Sequence, residues 1–262
     1  MRRILAITMA AAAALTLATG CDTADPVADG PAPTGVSPST SAPSASAEPS
    51  APPSSTPTVT PSAKPKKLKS GAKGADVLAL QNRLTELGYW NGKADSKFGG
   101  TTQQAVYALQ KAAGIGRDGT VGPKTWKALE EGVRPKAKST SGRVVEIDLK
   151  RQLLLLVDDG QITQIFNTST GTNDYYEHEG QTYLADTPRG RFKVSRQIDG
   201  WRDAPLGLLW RPKYFNGGIA VHGAPSVPPY PASHGCARVS VSAMNWMWKN
   251  DALPIKTRVW VY

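Results

Sequence analysis

The pattern of the 262-residue sequence predicts a multidomain α+β protein, with a small three-helix unit over residues 66–135 followed by a mostly antiparallel β domain over residues 140–262. In the first stretch apolar residues recur at helical spacing between glycine turns. In the second, short runs rich in Val, Ile, Leu and Thr are separated by Gly, Asp and Pro clusters. A low-complexity segment ahead of both sets them apart from the N-terminus.

Residues 1–20 have the order of a signal peptide: Arg2-Arg3, an apolar run from Ile4, then Ala18-Thr19-Gly20 before Cys21. Export follows. An uncleaved membrane helix is the alternative, although residues 4–20 are short for about 30 Å of hydrocarbon and are rich in Ala and Thr. The stretch "LATGC" resembles a bacterial lipobox, which implies that Cys21 is lipidated and anchors the chain to the outer face of the cytoplasmic membrane. Residues 21–65 read as a tether. From 31 to 65, thirty of thirty-five residues are Pro, Ser, Thr or Ala, so this segment cannot bury enough apolar surface to offset the entropy of ordering it.

The net charge of +10 is uneven: −1 over residues 1–65, +6 over 66–135 and +5 over 136–262. Both predicted folded parts are therefore basic, which suits an anionic polymer. The chain carries no nucleic-acid motif and reads as exported, so an envelope with its carboxylates and phosphates fits better than nucleic acid. The oligomeric state is not legible.

Three short helices account for residues 66–135. Val77, Leu80, Leu84 and Leu87 share one helical face and are followed by Gly88. Thr101 and Gln104 have the spacing of a capping box ahead of Ala105, Leu109 and Ala112, with Gly114 as the stop. Pro123 suits a first helical position, with Trp126 and Leu129 inward and Gly132 closing the third helix. Together with "LQNRLTELGY", "KFGGT", "AVYALQ" and "DGTVG", this stretch resembles peptidoglycan-binding domain 1. The resemblance implies targeting to the wall, with peptidoglycan glycan or stem peptide as partner. Tyr89, Trp90 and Phe98 read as core.

Residues 140–262 hold six strand-like runs: "VVEIDL", "QLLLLVD", "ITQIFNTS", "GRFKVSRQI", "GIAVHG" and "TRVWVY". Ser242 could cap one helix, with Met244, Met247 and Trp248 on its inner face. The chemistry concentrates in "ASHGCARVS", residues 232–240. If Cys21 is lipidated, Cys236 has no disulfide partner in an exported chain with two cysteines. A thiol attacks a carbonyl as thiolate, so it needs a neighbouring base or cation to lower its pKa from about 8.5. Of the three histidines, His222 and His234 are the candidates, and Gly235 leaves room for backbone N–H groups to face an oxyanion. A zinc site of His222, His234 and Cys236, or an inert buried cysteine, are the competing readings.

"VHGAPSVPPYPASHGCARVS", with "STGT" at 169–172 and "TPRGRF" at 187–192, resembles the L,D-transpeptidase catalytic domain (YkuD family), and the likeness covers nearly all of 143–262. It implies a β-sandwich without metal or cofactor, Cys236 as nucleophile, and His222 as general base oriented by the Gly223 carbonyl. It further implies that Ser233, His234 and Gly235 shape the oxyanion and donor site, and that Arg238 steadies the loop or binds a substrate carboxylate. Small Ala237 stands where the family usually has a bulkier aliphatic. The function implied is formation of 3→3 peptidoglycan cross-links through a cysteine thioester. Water as acceptor would make an L,D-carboxypeptidase, and an idle site would leave a wall-binding scaffold. His178, in "NDYYEHEG", has no motif partner and reads as a loop residue at the edge of a substrate lid.

Overall fold

The computed structural model describes residues 66–262; the leader, Cys21 and the low-complexity segment lie outside them. Among the described residues no helix is long and apolar enough to cross a membrane. The first part forms α1 (Ala75–Glu86), α2 (Gly100–Ala112) and α3 (Pro123–Glu130). Their inward faces carry Val77, Leu80, Leu84, Val106, Leu109 and Leu129, with Tyr89 and Phe98 buried among them. The capping box is not formed. Helix α2 begins at Gly100 with Gly99 as its N-cap and no side-chain cap, so Thr101 falls inside the first turn. Gln104 points elsewhere, donating to Val227 O at 3.1 Å.

Two buried glutamines organise this part in the same way. Gln81 Nε2 donates to Asp95 Oδ1, Lys97 O and Thr102 Oγ1, while its oxygen accepts from Asp95 and Ser96 N–H. Gln110 Nε2 donates to Asp118 Oδ1, Thr120 O and Thr125 Oγ1, and its oxygen accepts from Gly119 N–H. Each glutamine thus ties its own helix to the turn and helix that follow. These contacts explain the repeated Leu-Gln and Asp/Gly spacing in physical terms: a buried amide is tolerable only when both its ends are bonded.

The second part has twelve strands. They are β1 (Val144–Asp148), β2 (Leu153–Asp158), β3 (Gln161–Asn167), β4 (Tyr175–His178), β5 (Gln181–Leu184), β6 (Gly190–Lys193), β7 (Arg196–Gln197), β8 (Trp201–Ala204), β9 (Gly207–Asn216), β10 (Ile219–Ala224), β11 (Ala237–Ser240) and β12 (Arg258–Val261), with α4 (Val241–Lys249) between the last two. One sheet runs β3-β2-β1-β12-β6, and a second runs β11-β10-β9-β7 with β8 added on β9; β4 and β5 form a separate hairpin. Only β1–β12 and β10–β11 pair in parallel. Helix α4 is capped by Ser240, whose Oγ accepts from Ala243 N–H at 3.2 Å, and not by Ser242, which lies in its first turn. Met244 and Met247 are fully buried, as their spacing predicted.

The first sheet is covered on both faces. Leu154, Leu156 and Phe166 meet the second sheet and α4, whereas Leu153, Leu155, Val157 and Ile165 pack into the core of the helical part. This explains why "QLLLLV" has no polar alternation: a strand buried on both sides reads as one apolar run. Edge strand β3 is also met by backbone from the helical part, with Ile165 N–H donating to Gly88 O at 2.8 Å and Trp90 N–H to Ile165 O at 3.0 Å. Trp90, Phe166 and Trp246 cluster with ring centroids 5.7 to 6.3 Å apart, linking the segment after α1 to β3 and α4.

Candidate active site

Strands β10 and β11 bring the rare side chains together. Their register pairs Val221 with Ala237 and His222 with Arg238, so Cys236 enters just ahead of β11 beside Ala220. Ala220 and His222 share one face of β10 by strand alternation. The thiol packs against the cluster of Leu209, Tyr214 and Ala220, accepts from Ala220 N–H at 3.4 Å and lies 3.9 Å from Gly218 O. Cys236 and His222 line the same cavity of about 710 Å³. The hydrogen bonds of the thiol go to backbone, so no bond joins it to the imidazole in this arrangement.

The imidazole is fixed in one tautomer. His222 Nδ1 lies 2.9 Å from Gly223 O, and a carbonyl can only accept, so Nδ1 carries the proton and Nε2 keeps a free lone pair. Gly223 has no room for a side chain: a Cβ would lie 2.8 Å from Trp210 Cδ1 and 3.1 Å from Met244 Cβ. Burial pushes the His222 pKa down to about 4; Arg238 adds repulsion and the Gly223 carbonyl opposes both. Burial also raises the Cys236 pKa, against the lowering effects of the Ala220 N–H and Arg238. The resting pair is therefore neutral thiol and neutral imidazole. The thiol pKa thus rises where a lowered one was expected, because apolar walls desolvate the thiolate more than the Ala220 N–H and the Arg238 charge favour it.

The loop carrying Cys236 is threaded through the "STGT" segment. Thr170 O accepts from the N–H groups of Ala232 and Ser233, Thr172 N–H donates to Ser233 O, and Ser169 and Arg238 exchange a pair of backbone bonds at 2.9 and 3.2 Å. Ser233, buried, donates its hydroxyl to Cys236 O at 2.6 Å and accepts from Gly235 N–H at 3.1 Å. Gly235 has φ 144°, and a Cβ there would lie 2.8 Å from Asp186 O, so only glycine fits. Ser233 and the Gly235 N–H are thus occupied in shaping the loop.

His234 is exposed, its ring meeting Tyr176 edge-on at 4.7 Å between centroids. Among the described residues no three His, Cys, Asp or Glu side chains gather as metal ligands would. Arg238 Nη1 donates to Ala232 O at 2.9 Å, a contact that fits the loop-steadying role, and its side chain also lines the cavity. The β4–β5 hairpin supplies His178 and Tyr183 to one wall, and the β8–β9 hairpin supplies Leu206 and Leu208 to another. Sequence reasoning did not single out Thr187. Its hydroxyl donates to Gly235 O at 2.6 Å and accepts from Gly171 N–H at 3.0 Å, joining both loops. Only the presence of "TPRGRF" pointed toward it.

Comparison with known proteins agrees with this geometry. Residues 142–261 match the L,D-transpeptidase catalytic domain model (YkuD) and residues 73–129 match that of a peptidoglycan binding domain. A solved L,D-transpeptidase from Xylanimonas cellulosilytica DSM 15894 is 55% identical with a TM-score of 0.74; the match covers 76% of this chain and 99% of that one. The N-acetylmuramoyl-L-alanine amidase CwlL of Bacillus licheniformis is 48% identical over 79 residues, which is 29% of this chain and 22% of the amidase. The spore cortex-lytic enzyme of Bacillus subtilis (strain 168) is 44% identical over 63 residues, 24% of this chain and 21% of the enzyme. The chain thus spans about a fifth of the length of these two curated relatives.

Proposed function

Because this chain belongs to the L,D-transpeptidase family, we propose that it is a cell-wall enzyme that joins peptidoglycan stem peptides through Cys236, making 3→3 cross-links by way of a thioester. One observation carries the chemistry: His222, its Nδ1 bonded to Gly223 O so that Nε2 is left free to take a proton, lines the same cavity as the Cys236 thiol. For attack, Sγ turns from Gly218 O toward Nε2. The thiol proton passes to Nε2 as Sγ bonds to the carbonyl carbon of the diamino acid at the third stem position. The Cys236 N–H faces the developing oxyanion. Collapse breaks the amide bond, and His222 gives its proton to the departing D-Ala amine. The side-chain amine of a second stem then attacks the thioester, again losing a proton to His222, which returns it to sulfur.

Incubation with a disaccharide tetrapeptide and mass analysis of the products tests this reading. Loss of D-Ala together with a dimer lacking one D-Ala is expected. A tripeptide without dimer would mean that water is the acceptor. No product in either form would remove the proposal.

The helical part is read as the wall-binding unit, and Cys21 as a lipid anchor that places it outside the membrane. Cys21→Ala should release the protein from membranes with activity on soluble fragments unchanged. Retention of the variant after a salt wash would rule out the anchor.

A further inference from the structure

Lys111, in the last turn of α2, is only 1% exposed. Among the described residues no carboxylate lies within ion-pair distance of it. Its Nζ donates across to the β part instead, to Gln152 O at 2.8 Å, Thr168 O at 2.9 Å and the side-chain oxygen of Asn167. Burial and the repulsion of Arg117 pull its pKa down to about 6. Three oxygen acceptors, however, match the three N–H bonds of an ammonium, which favours the charged form against that pull. A buried cation without a counter-charge is costly, and an apolar side chain of similar length would fill the space without that cost. Packing alone does not account for a lysine here.

The three acceptors share a location. Gln152 bonds Thr170 twice, donating from Nε2 to Oγ1 at 2.7 Å and accepting from N–H at 2.9 Å. Thr168 Oγ1 donates to Arg238 O at 2.8 Å. Asn167 Nδ2 donates to Gln104 Oε1 on α2 and to Val227 O, at the start of the loop that leads to Cys236. Thr170 in turn holds Ala232 and Ser233, and Ser169 holds Arg238. Lys111 is thus two hydrogen bonds from Arg238 on one side of the thiol and three from Ala232 and Ser233 on the other.

We propose that Lys111 is a positioning residue for the transpeptidase reaction: from the peptidoglycan-binding unit it fixes the 167–170 segment, and through it the 232–238 segment that carries Cys236. This role presupposes Cys236 as the nucleophile. The wall-binding unit is then part of the support of the active site, in addition to being its address.

The test uses the full chain with Lys111→Met and, at the far end of the same path, Thr168→Val, which removes only the hydroxyl that reaches Arg238. Each is measured for turnover of the tetrapeptide and for the pH profile of Cys236 alkylation by iodoacetamide. For Lys111→Met, kcat should fall on the order of 100-fold, the loss that a displacement of about 1 Å produces, with KM changed less than about threefold. In both variants the alkylation profile should move to higher pH, because Arg238 is no longer held where its charge favours the thiolate. If Lys111→Met does not fold, Thr168→Val decides alone. Folded variants with the wild-type kcat and alkylation profile would overturn the proposal, as would lowered stability with an unmoved profile. The alkylation profile needs only the thiol, so it still decides if the wild type proves inactive on tetrapeptides.

Discussion

Cys236→Ser should lower kcat by on the order of 1,000-fold or more while leaving the fold and wall binding intact. A hydroxyl holds its proton far more tightly than a thiol, and His222 is oriented by a backbone carbonyl, which cannot stabilise an imidazolium as a carboxylate would. His222→Ala should cost between about 100- and 10,000-fold, the range of a lost general base. The two residues act on one proton, so the double variant should be little worse than either single one. The acid limb of kcat/KM follows from burial of the imidazole. His222 must be neutral to accept the thiol proton, and its pKa is depressed to about 4. Activity should therefore persist as pH falls through the ordinary histidine range near 6.5 and be lost only near pH 4. Full activity in Cys236→Ser, or an acid limb at 6.5, would contradict the neutral-pair chemistry.

How much of this was legible beforehand depended on the kind of signal. Helices α1 to α3 stand out because a 3.6-residue periodicity is a local property, and six strand-like runs stand out as apolar stretches between Gly, Asp and Pro clusters, whereas β4, β5, β8, β9 and β11 were not singled out. Cys236 and His222 stand out because the chain has two cysteines and three histidines, so each one must be explained. The helix starts were less accessible. Thr101 and Ser242 have cap-forming side chains, but Gly99 and Ser240 begin the helices, and a cap is decided by where the preceding backbone comes from. Nothing local marks Lys111: it reads as an ordinary basic residue in a last turn, and only the strand it faces makes it a buried cation. Thr187 is silent for the same reason, since its partners Gly171 and Gly235 lie sixteen and forty-eight residues away. The thiol pKa was expected to fall because a catalytic role suggested it. The burial that raises it, against Leu209 and Tyr214 of β9 and Ala220 of β10, exists only in the fold.

Separating the helical part from the β part should have the largest effect on stability. Residues 136–262 expressed alone would uncover Leu153, Leu155, Val157 and Ile165, each at most 1% exposed in the full chain. Exposing a buried aliphatic side chain costs about 1.5–3 kcal/mol, so four together reach on the order of 6–12 kcal/mol, the whole stability of an ordinary domain. The fragment should therefore be insoluble or lack a cooperative thermal transition. The full chain should unfold in a single transition seen equally by tryptophan fluorescence, which reports Trp90 and Trp246 across the interface, and by far-UV circular dichroism. Two separated transitions, or a stable and active fragment 136–262, would show that the helical part is a detachable address. One transition would mean that the wall-binding unit and the catalytic strands fold as one body, which is the condition under which a lysine on α2 can position a thiol on the far side of a sheet.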